Sequence, residues 1–153
     1  MKTMVITGAT SGIGYATAKA LAPNNRLIIC GRRTEKLHTL AAELEGIAEV
    51  HIVSFDVTDK KEVFKAFENL PERFRTIDVL INNAGNAHGL ASFQDADLED
   101  LENMIDINVK GLIYVTKACL PGLMQSSDAH IVNISSIAGK QAYANGTTYC
   151  ASK

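Results

Sequence analysis

The chain has 153 residues, of which 46% are hydrophobic and 21% are charged, and its formal net charge is −2. This length and composition are typical of one globular domain with a substantial core. The charge excludes the basic surface that nucleic acids and anionic membranes require, and no apolar run is long enough to span a membrane. We therefore expect a single domain without nucleic-acid or membrane partners.

Three widely spaced cysteines, Cys30, Cys119 and Cys150, form no Cys-x-x-Cys pair. Their odd number and spacing predict neither a disulfide framework nor a zinc site. The chain enters an apolar, strand-like run almost at once, so we expect no signal or transit peptide. These features indicate a cytoplasmic protein with reduced cysteines and without a metal site.

Strand-like and helix-like segments alternate along the chain. The predicted strands are short, apolar and rich in β-branched residues, as strands covered on both faces should be. They span residues 4–7, 26–30, 50–55, 77–82 and 130–135. The predicted helices span residues 13–21, 34–44, 59–70 and 97–120. This alternation predicts an α/β fold, a Rossmann-like doubly wound parallel sheet that binds ligands at the carboxyl ends of its strands.

The last predicted helix, 97–120, carries apolar residues on more than one face, whereas a surface helix needs only one apolar stripe. We expect this helix to be either sandwiched within the fold or used in a subunit interface. Asn108 is a polar residue inside it, and it needs a partner such as water or a backbone carbonyl.

A glycine-rich loop with Gly8, Gly12 and Gly14 follows the first predicted strand. Glycines permit a tight turn and let a pyrophosphate approach the backbone and the N-terminus of the next helix. An ordinary strand–helix turn can have the same composition. The position after the first strand of an α/β chain favours a nucleotide cradle.

The second predicted strand leads into Gly31-Arg32-Arg33, where a dinucleotide-binding protein usually carries an acid for the adenine ribose. No acid occurs from residue 27 to residue 34. Guanidinium groups suit a 2′-phosphate, so we expect NADP rather than NAD. In the alternative interpretation one or both arginines only solvate the start of the next helix, and Arg33 is the better candidate for that role.

Tyr149 and Lys153 stand in a Tyr-x-x-x-Lys spacing, which places both side chains on one face of a helix. An ammonium there can favour the ionised phenol, so the tyrosine can act as an acid or a base. After the fourth predicted strand, an asparagine of Asn82-Asn83-Ala84-Gly85 can tie neighbouring strand ends together, although Asn83 and Asn86 also fit a simple turn. A proton-transfer pair together with a nucleotide cradle suggests redox chemistry on a bound cofactor.

In this order and spacing, the motifs resemble the short-chain dehydrogenase/reductase family along the whole chain. The residues that carry the resemblance are Thr7-Gly8-x-x-x-Gly12-x-Gly14, Asn82-Asn83-Ala84-Gly85, Asn108, Ser136 and Tyr149-x-x-x-Lys153. Within the family, residues 31–33, 86–89 and 104–122 are similar to the NADP-dependent 3-hydroxy acid (serine) dehydrogenases. The resemblance implies an NADP-dependent oxidoreductase that interconverts a secondary alcohol, such as a 3-hydroxy acid, and a ketone by hydride transfer.

The resemblance also implies a role for each site residue. Tyr149 would be the general acid/base, and Lys153 would stabilise its ionised form and bind the nicotinamide ribose. Ser136 would hydrogen-bond the substrate oxygen, and Asn108 would hold a water in a proton relay to Lys153. The expected cofactor-binding residues are Gly8, Ser11, Gly12, Ile13, Gly14, Arg32, Arg33, Asp56, Val57, Asn82, Ala84, Gly85, Tyr149 and Lys153.

The family continues beyond its lysine with more helix, more strands and a substrate-covering loop. We therefore expect residues 1–153 to be the N-terminal part of a longer NAD(P)-binding domain, truncated after the fifth strand. Alone, this part would leave one side of the sheet uncovered, and we expect it to be inactive and to aggregate.

Two other interpretations stay open. One is a dinucleotide-binding module without catalysis, and the other is a sugar-nucleotide epimerase or dehydratase, whose glycine spacing fits less well. The resemblance also implies a homodimer or a homotetramer with a small-molecule substrate.

Overall fold

The computed structural model describes residues 1–89 and 91–153. Within these residues, five strands and six helices alternate. They are β1 (Thr3–Thr7), α1 (Gly12–Leu21), β2 (Arg26–Gly31), α2 (Thr34–Glu43), β3 (Glu49–Ser54), α3 (Lys60–Glu68), β4 (Val79–Asn82), α4 (Leu98–Ile105), α5 (Leu112–Leu123), β5 (His130–Asn133) and α6 (Thr147–Ser152). Every predicted strand is confirmed, with small shifts at its ends.

The strands form one parallel sheet in the order β3-β2-β1-β4-β5. The chain runs outward from β1 to β3, then crosses to the other side of β1 and continues outward from β4 to β5. The predicted doubly wound topology is therefore confirmed. In such a sheet the carboxyl ends of β1 and β4 flank a crevice where ligands bind.

Alternate residues of the buried strands point to opposite faces of the sheet, and each face has its own core. In β1, Val5 belongs to one core and Ile6 to the other. The core on the side of Val5 receives Val63, Phe67, Val115 and Cys119 from α3 and α5. The core on the side of Ile6 receives Ala18, Leu37 and Leu40 from α1 and α2. The two helical layers hold the strand ends, and with them the loops, in fixed positions.

The prediction of one uninterrupted α-helix over residues 97–120 is wrong in one respect. The helical run consists of α4, a π-helical segment at Asp106–Gly111, and α5. At Gly111 an added Cβ would lie 2.7 Å from Val57 Cγ2, so the wide turn lies directly against the loop after β3. Single π-helical turns inside α-helices are frequent at functional sites. This one contains Asn108.

One of the two edge strands of the sheet, β5, has all four residues exposed. Its apolar side chains Ile131 and Val132 are 46% and 42% exposed. The expectation that one side of the sheet is uncovered is therefore confirmed for this chain. None of the helices in the two described ranges is long and apolar enough to cross a membrane.

Candidate active site

A cavity of about 560 Å³ lies at the carboxyl ends of the strands. Most of the predicted site residues line it: Gly8, Ser11, Ile13, Arg32, Arg33, Asp56, Val57, Ala84, Gly85, Tyr149 and Lys153. Five predicted residues do not line it: Gly12, Gly14, Asn82, Asn108 and Ser136. The sheet thus brings the glycine loop, the two arginines and the Tyr–Lys pair to one cavity.

The loop after β1 needs glycine for two different reasons. Gly8 and Gly12 have φ angles of 65° and 54°, which side chains with a Cβ rarely adopt. At Gly14, an added Cβ would lie 2.4 Å from the carbonyl oxygen of Gly8. Helix α1 can therefore begin close against the loop. Ser11 and Ile13 line the cavity on either side of its first residue, so the positive end of the helix borders the cavity.

Asn83 ties the end of β4 to the end of β1. Its Nδ2 donates to the carbonyl oxygens of Thr7 and Gly8 at 2.9 and 3.2 Å. The hydroxyl of Thr7 accepts hydrogen bonds from the backbone N–H groups of Asn83 and Ala84 at 3.0 and 2.9 Å. The expectation that an asparagine joins neighbouring strand ends is confirmed. Asn83 lines the cavity and is more than a turn residue.

The two arginines at the end of β2 have different partners. Arg33 Nη2 donates to Thr10 Oγ1 at 2.6 Å and to Ser11 Oγ at 2.8 Å. Arg32 Nη1 forms a salt bridge of 3.1 Å with Asp56 Oδ2. Among the described residues, no carboxylate forms a salt bridge with Arg33, so its positive charge is not neutralised while that of Arg32 is. Arg33 is thus held against the glycine loop by two neutral hydroxyls.

Asp56 is held as a carboxylate on the cavity wall. Partial burial raises its pKa, but hydrogen bonds from the backbone and side chain of Thr58 and the Arg32 guanidinium outweigh burial. The net effect leaves the pKa of Asp56 below its ordinary value of 3.8. The acid is therefore ionised at neutral pH and orients Arg32.

At the other end of the cavity, three segments meet around Lys153. Its Nζ donates to the carbonyl oxygen of Ile134 at 2.8 Å, and its own carbonyl oxygen accepts from Ser135 Oγ at 2.6 Å. A Cβ at Gly85 would lie only 3.3 Å from Lys153 Nζ and 3.1 Å from Asn108 Oδ1. Tyr149, one turn earlier on α6, shares the cavity. An ammonium and a phenol in one cavity can transfer a proton to a bound oxygen.

Asn108 is buried, and its side chain bonds to the loop after β4. Its Oδ1 accepts from the backbone N–H of Asn86 at 2.9 Å, and its Nδ2 donates to the carbonyl oxygen of Asn86 at 2.9 Å. Nδ2 also donates to Ser152 Oγ at 2.8 Å. The prediction that this residue needs a partner, such as water or a backbone carbonyl, is confirmed by its bond to the carbonyl of Asn86. The expected water relay to Lys153 stays a prediction.

Two more predicted residues lie just outside the cavity wall. Asn82 is buried, and its Nδ2 donates at 2.9 Å to both Thr116 Oγ1 and Asn133 Oδ1, which ties β4 to β5. Ser136 Oγ accepts from the backbone N–H of Ala138 at 3.2 Å, so its own O–H stays available as a donor. Its neighbour Ser135 lines the cavity instead.

Eleven residues of the wall were not assigned to the site from the sequence, although Thr7, Gly31 and Asn83 were named in its motifs. The eleven are Thr7, Thr10, Cys30, Gly31, Phe55, Asn83, Asn86, Ala87, Ile107, Ile134 and Ser135. A threonine at the end of a buried strand and a second asparagine after it were available as signals for Thr7 and Asn83. Thr10 and Ile107 have no local signal, because tertiary packing alone directs them at the cavity.

A smaller cavity of about 60 Å³ also contacts Tyr149. Its wall includes His88, Asp100 and Tyr143, and His88 Nδ1 lies 3.7 Å from Asp100 Oδ1. Tyr149 therefore belongs to both cavities, one large enough for a nucleotide and one that admits only a small group. Across residues 1–89 and 91–153, no three His, Cys, Asp or Glu side chains are grouped so that they could hold a metal ion.

The doubly wound sheet, the glycine loop at its crevice and the Tyr–Lys pair in the same cavity define a dinucleotide-binding protein of the dehydrogenase type. The family model for short chain dehydrogenases matches residues 2–153. The chain belongs to that family.

Several of its relatives carry names that agree with the narrower resemblance, and one is named as a sulfoacetaldehyde reductase. The chain is 46% identical to sulfoacetaldehyde reductase 2 of Chromohalobacter salexigens and 43% identical to NADP-dependent 3-hydroxy acid dehydrogenase YdfG of Salmonella typhi. Each match covers 98% of this chain and 60% of the relative. The closed form of serine dehydrogenase complexed with NADP⁺ superposes with a TM-score of 0.93 at 39% identity, covering 99% of this chain and 60% of that one. The chain thus spans about 60% of the length of the curated relatives it matches.

Proposed function

We propose that this protein is an NADP-dependent oxidoreductase that interconverts a secondary alcohol and a ketone. A single observation carries the proposal: one cavity joins the unneutralised guanidinium of Arg33 to the pair of Tyr149 and Lys153. An anion site at one end and a proton-transfer pair at the other fit a phosphorylated redox cofactor that lies between them. Residues 1–153 then form the dinucleotide-binding part of the enzyme.

The residues present fit NADP better than NAD. Arg33, Thr10 and Ser11 offer a cation and two hydroxyls at one point of the wall, which is the donor set that a phosphate monoester requires. The positive end of α1 at Gly12 suits the pyrophosphate. Asp56 and Val57 border the same end of the cavity and suit the adenine. The names of one similar protein and one similar structure specify NADP or NADP⁺, which supports this preference.

When bound, the nicotinamide supplies or accepts the hydride. The chain's own residues handle the proton: Tyr149 donates it to the carbonyl oxygen during reduction and accepts it from the alcohol during oxidation. The Lys153 ammonium, fixed by the carbonyl of Ile134, would bind the nicotinamide ribose beside Tyr149. The free O–H of Ser136 would donate to the same substrate oxygen.

A small polar hydroxy acid is the substrate class that we propose. The cavity of about 60 Å³ beside Tyr149 admits only a small group, and it is lined by polar as well as apolar side chains. The names of the similar 3-hydroxy acid and serine dehydrogenases support the same class.

The test measures cofactor binding and turnover separately in the complete protein that contains these residues. We expect NADPH to bind more tightly than NADH by calorimetry, and serine or another 3-hydroxy acid to reduce NADP⁺. Tyr149→Phe should retain NADPH binding and lose at least about 99% of turnover, because the substitution removes the proton donor. Retained turnover in Tyr149→Phe would refute the mechanism.

A dinucleotide-binding module without catalysis is the second candidate. It is supported by the part of the cavity formed by Arg33 and the start of α1, which can hold a dinucleotide without any contribution from Tyr149. Tight binding of NADPH without turnover of any hydroxy acid or its ketone would identify this function.

The assembly and location of the protein are also proposals. Exposed apolar side chains on the helical run, Leu98 at 67% and Ile113 at 54%, support a homodimer or homotetramer. The three free cysteines support a cytoplasmic location. Sedimentation velocity of the complete protein tests the assembly, since a monomer would contradict it.

A further inference from the structure

A polar contact between the long helical run and α6 passes through one hydroxyl. Ser152 Oγ accepts a hydrogen bond from Asn108 Nδ2 at 2.8 Å and donates one to the carbonyl oxygen of Tyr149 at 2.9 Å. Ser152 is buried, with 8% of its surface exposed. A hydroxyl has one proton, and Ser152 donates it in the hydrogen bond to the carbonyl oxygen of Tyr149. Asn108 must therefore be the donor in the other hydrogen bond.

Asn108 is itself fixed on its other side. Its amide bonds both the N–H and the C=O of Asn86, a residue of the cavity wall. Four residues therefore form a continuous polar link from the wall, through Asn108 and Ser152, to the backbone of Tyr149. The side-chain amide of Asn108 and the hydroxyl of Ser152 each use all of their donor hydrogens within this link, so the link can fix the position of α6.

Helix α6 packs against α4, but few polar contacts fix its first turn. Among the residues that the structure describes, none caps its N-terminus with a side chain. The other polar anchors lie at Lys153, whose Nζ and carbonyl oxygen bond to Ile134 and Ser135. Without the hydroxyl of Ser152, one N–H of Asn108 would be buried without a partner, and the turn that carries Tyr149 would lose its bond to the helical run.

We infer that Ser152 is a positioning residue that aligns Tyr149 with the cavity through Asn108. This inference rests on the proposed function for its effect on turnover. Its effect on the mobility of α6 does not depend on that function.

The first experiment compares wild type, Ser152→Ala and Thr39→Ala in the complete protein. Thr39 is the matched control, because its hydroxyl also bonds a backbone carbonyl one turn earlier in a helix, but on the exposed face of α2. By hydrogen exchange, we expect the amides of residues 147–153 to exchange about tenfold faster in Ser152→Ala and at the wild-type rate in Thr39→Ala. Unchanged exchange in Ser152→Ala would overturn the inference, whatever reaction the protein catalyses.

The second experiment uses turnover. We expect Ser152→Ala to lower kcat about tenfold, roughly the contribution of one hydrogen bond, and to change the pH profile of kcat, while the Kd of NADPH stays within about twofold. In an Asn108→Ala background the same substitution should have little further effect, because the link is already broken. A loss that adds fully to that of Asn108→Ala, or a pH profile identical to that of wild type, would overturn the inference. If wild type binds NADPH and has no turnover, the proposed function fails and the exchange experiment still decides the role of Ser152.

Discussion

At the scale of single residues, two neighbouring arginines differ in whether a carboxylate compensates their charge. Arg32 bonds to the carboxylate of Asp56, so a second anion near it must compete with an existing partner. Arg33 bonds to the hydroxyls of Thr10 and Ser11, which leave its charge uncompensated. The second arginine is therefore the stronger candidate for a phosphate ligand, although the sequence favoured it as the bystander.

Arg33→Ala should weaken NADP⁺ binding about 10- to 100-fold and leave NAD⁺ binding unchanged, since a hydrogen bond to a charged group contributes about 1.5–3 kcal/mol. Isothermal titration calorimetry with both nucleotides measures the difference. Arg73→Ala is the matched control, because Arg73 forms a salt bridge with Glu49 and does not line the cavity. An equal loss for both nucleotides would contradict the assignment of Arg33 to the 2′-phosphate.

The lowered pKa of Asp56 predicts how the stability of the fold depends on pH. Because its pKa is lower in the folded chain, the carboxylate stabilises the fold above the unfolded pKa, and this contribution is lost as the pH falls through the folded pKa. The difference in unfolding free energy between wild type and Asp56→Asn should therefore be constant from about pH 5 to 7 and shrink below about pH 4. Urea unfolding across this range measures it, with Glu35→Gln as the control for loss of one exposed charge. A difference in unfolding free energy that grows as the pH falls would contradict this prediction.

The part of the site that could be predicted from the sequence has local causes. Gly8 and Gly12 are required by positive φ angles, and Tyr149 and Lys153 by helical spacing, so neighbouring residues suffice to recognise them. Thr10, Ser152 and the different roles of Arg32 and Arg33 depend on side chains far away in the chain. Asn108 was predicted to need a partner, but its partner is specified only by the fold.

At the scale of elements, the packing of α5 against the sheet depends on a glycine. A Cβ at Gly122 would lie 2.4 Å from the carbonyl oxygen of Arg75 and 3.0 Å from Ile77 Cδ1. The backbone N–H of Ile77 donates to the carbonyl oxygen of Gly122 at 3.1 Å. This contact sets how closely the helix approaches the start of β4.

Gly122→Ala should lower the free energy of unfolding by about 1–3 kcal/mol, because the methyl group meets backbone that cannot move without separating α5 from β4. The urea midpoint measures the loss. Lys117→Ala on the exposed face of the same helix should stay within about 0.5 kcal/mol of wild type. A Gly122→Ala midpoint equal to that of the control would show that the helix can shift freely.

Elements were predictable where local pattern decides them. The strands were recognised from short apolar, β-branched runs. The start of α3 is equally local, because the side chain of Asp59 accepts from the N–H groups of Lys61 and Glu62. The π-helical segment was not recognised, because contacts of Gly111 with Val57 and of Asn108 with Asn86 accompany it. Helical periodicity gives no information about such contacts.

At the scale of the whole molecule, the most prominent feature is the uncovered edge of β5. The strand exposes Ile131 and Val132, and its outer backbone edge has the properties that favour association with other strands. The fold class and the doubly wound topology were predictable because every crossover contains a helix.

The 153-residue chain alone should self-associate through this edge, and Val132→Lys should reduce that association several-fold, because a charged side chain disfavours pairing with another strand. Sedimentation velocity and light scattering at equal concentrations measure the effect. Ile137→Lys is the control, since it removes an apolar residue that is even more exposed, at 71% against 42% for Val132, and that lies outside the strands. If both variants associate equally little, general surface hydrophobicity and not the edge is responsible.

The amide of Asn108 has a further consequence. The amide accepts from the N–H and donates to the C=O of one residue. It thus forms the pair of hydrogen bonds that one residue forms with another between strands of a β-sheet. Such a pairing is selective in a way that shape is not. Aspartate matches asparagine atom for atom, but an ionised carboxylate would direct an oxygen at the carbonyl of Asn86 and repel it. The position therefore distinguishes two isosteric residues by hydrogen-bond polarity alone.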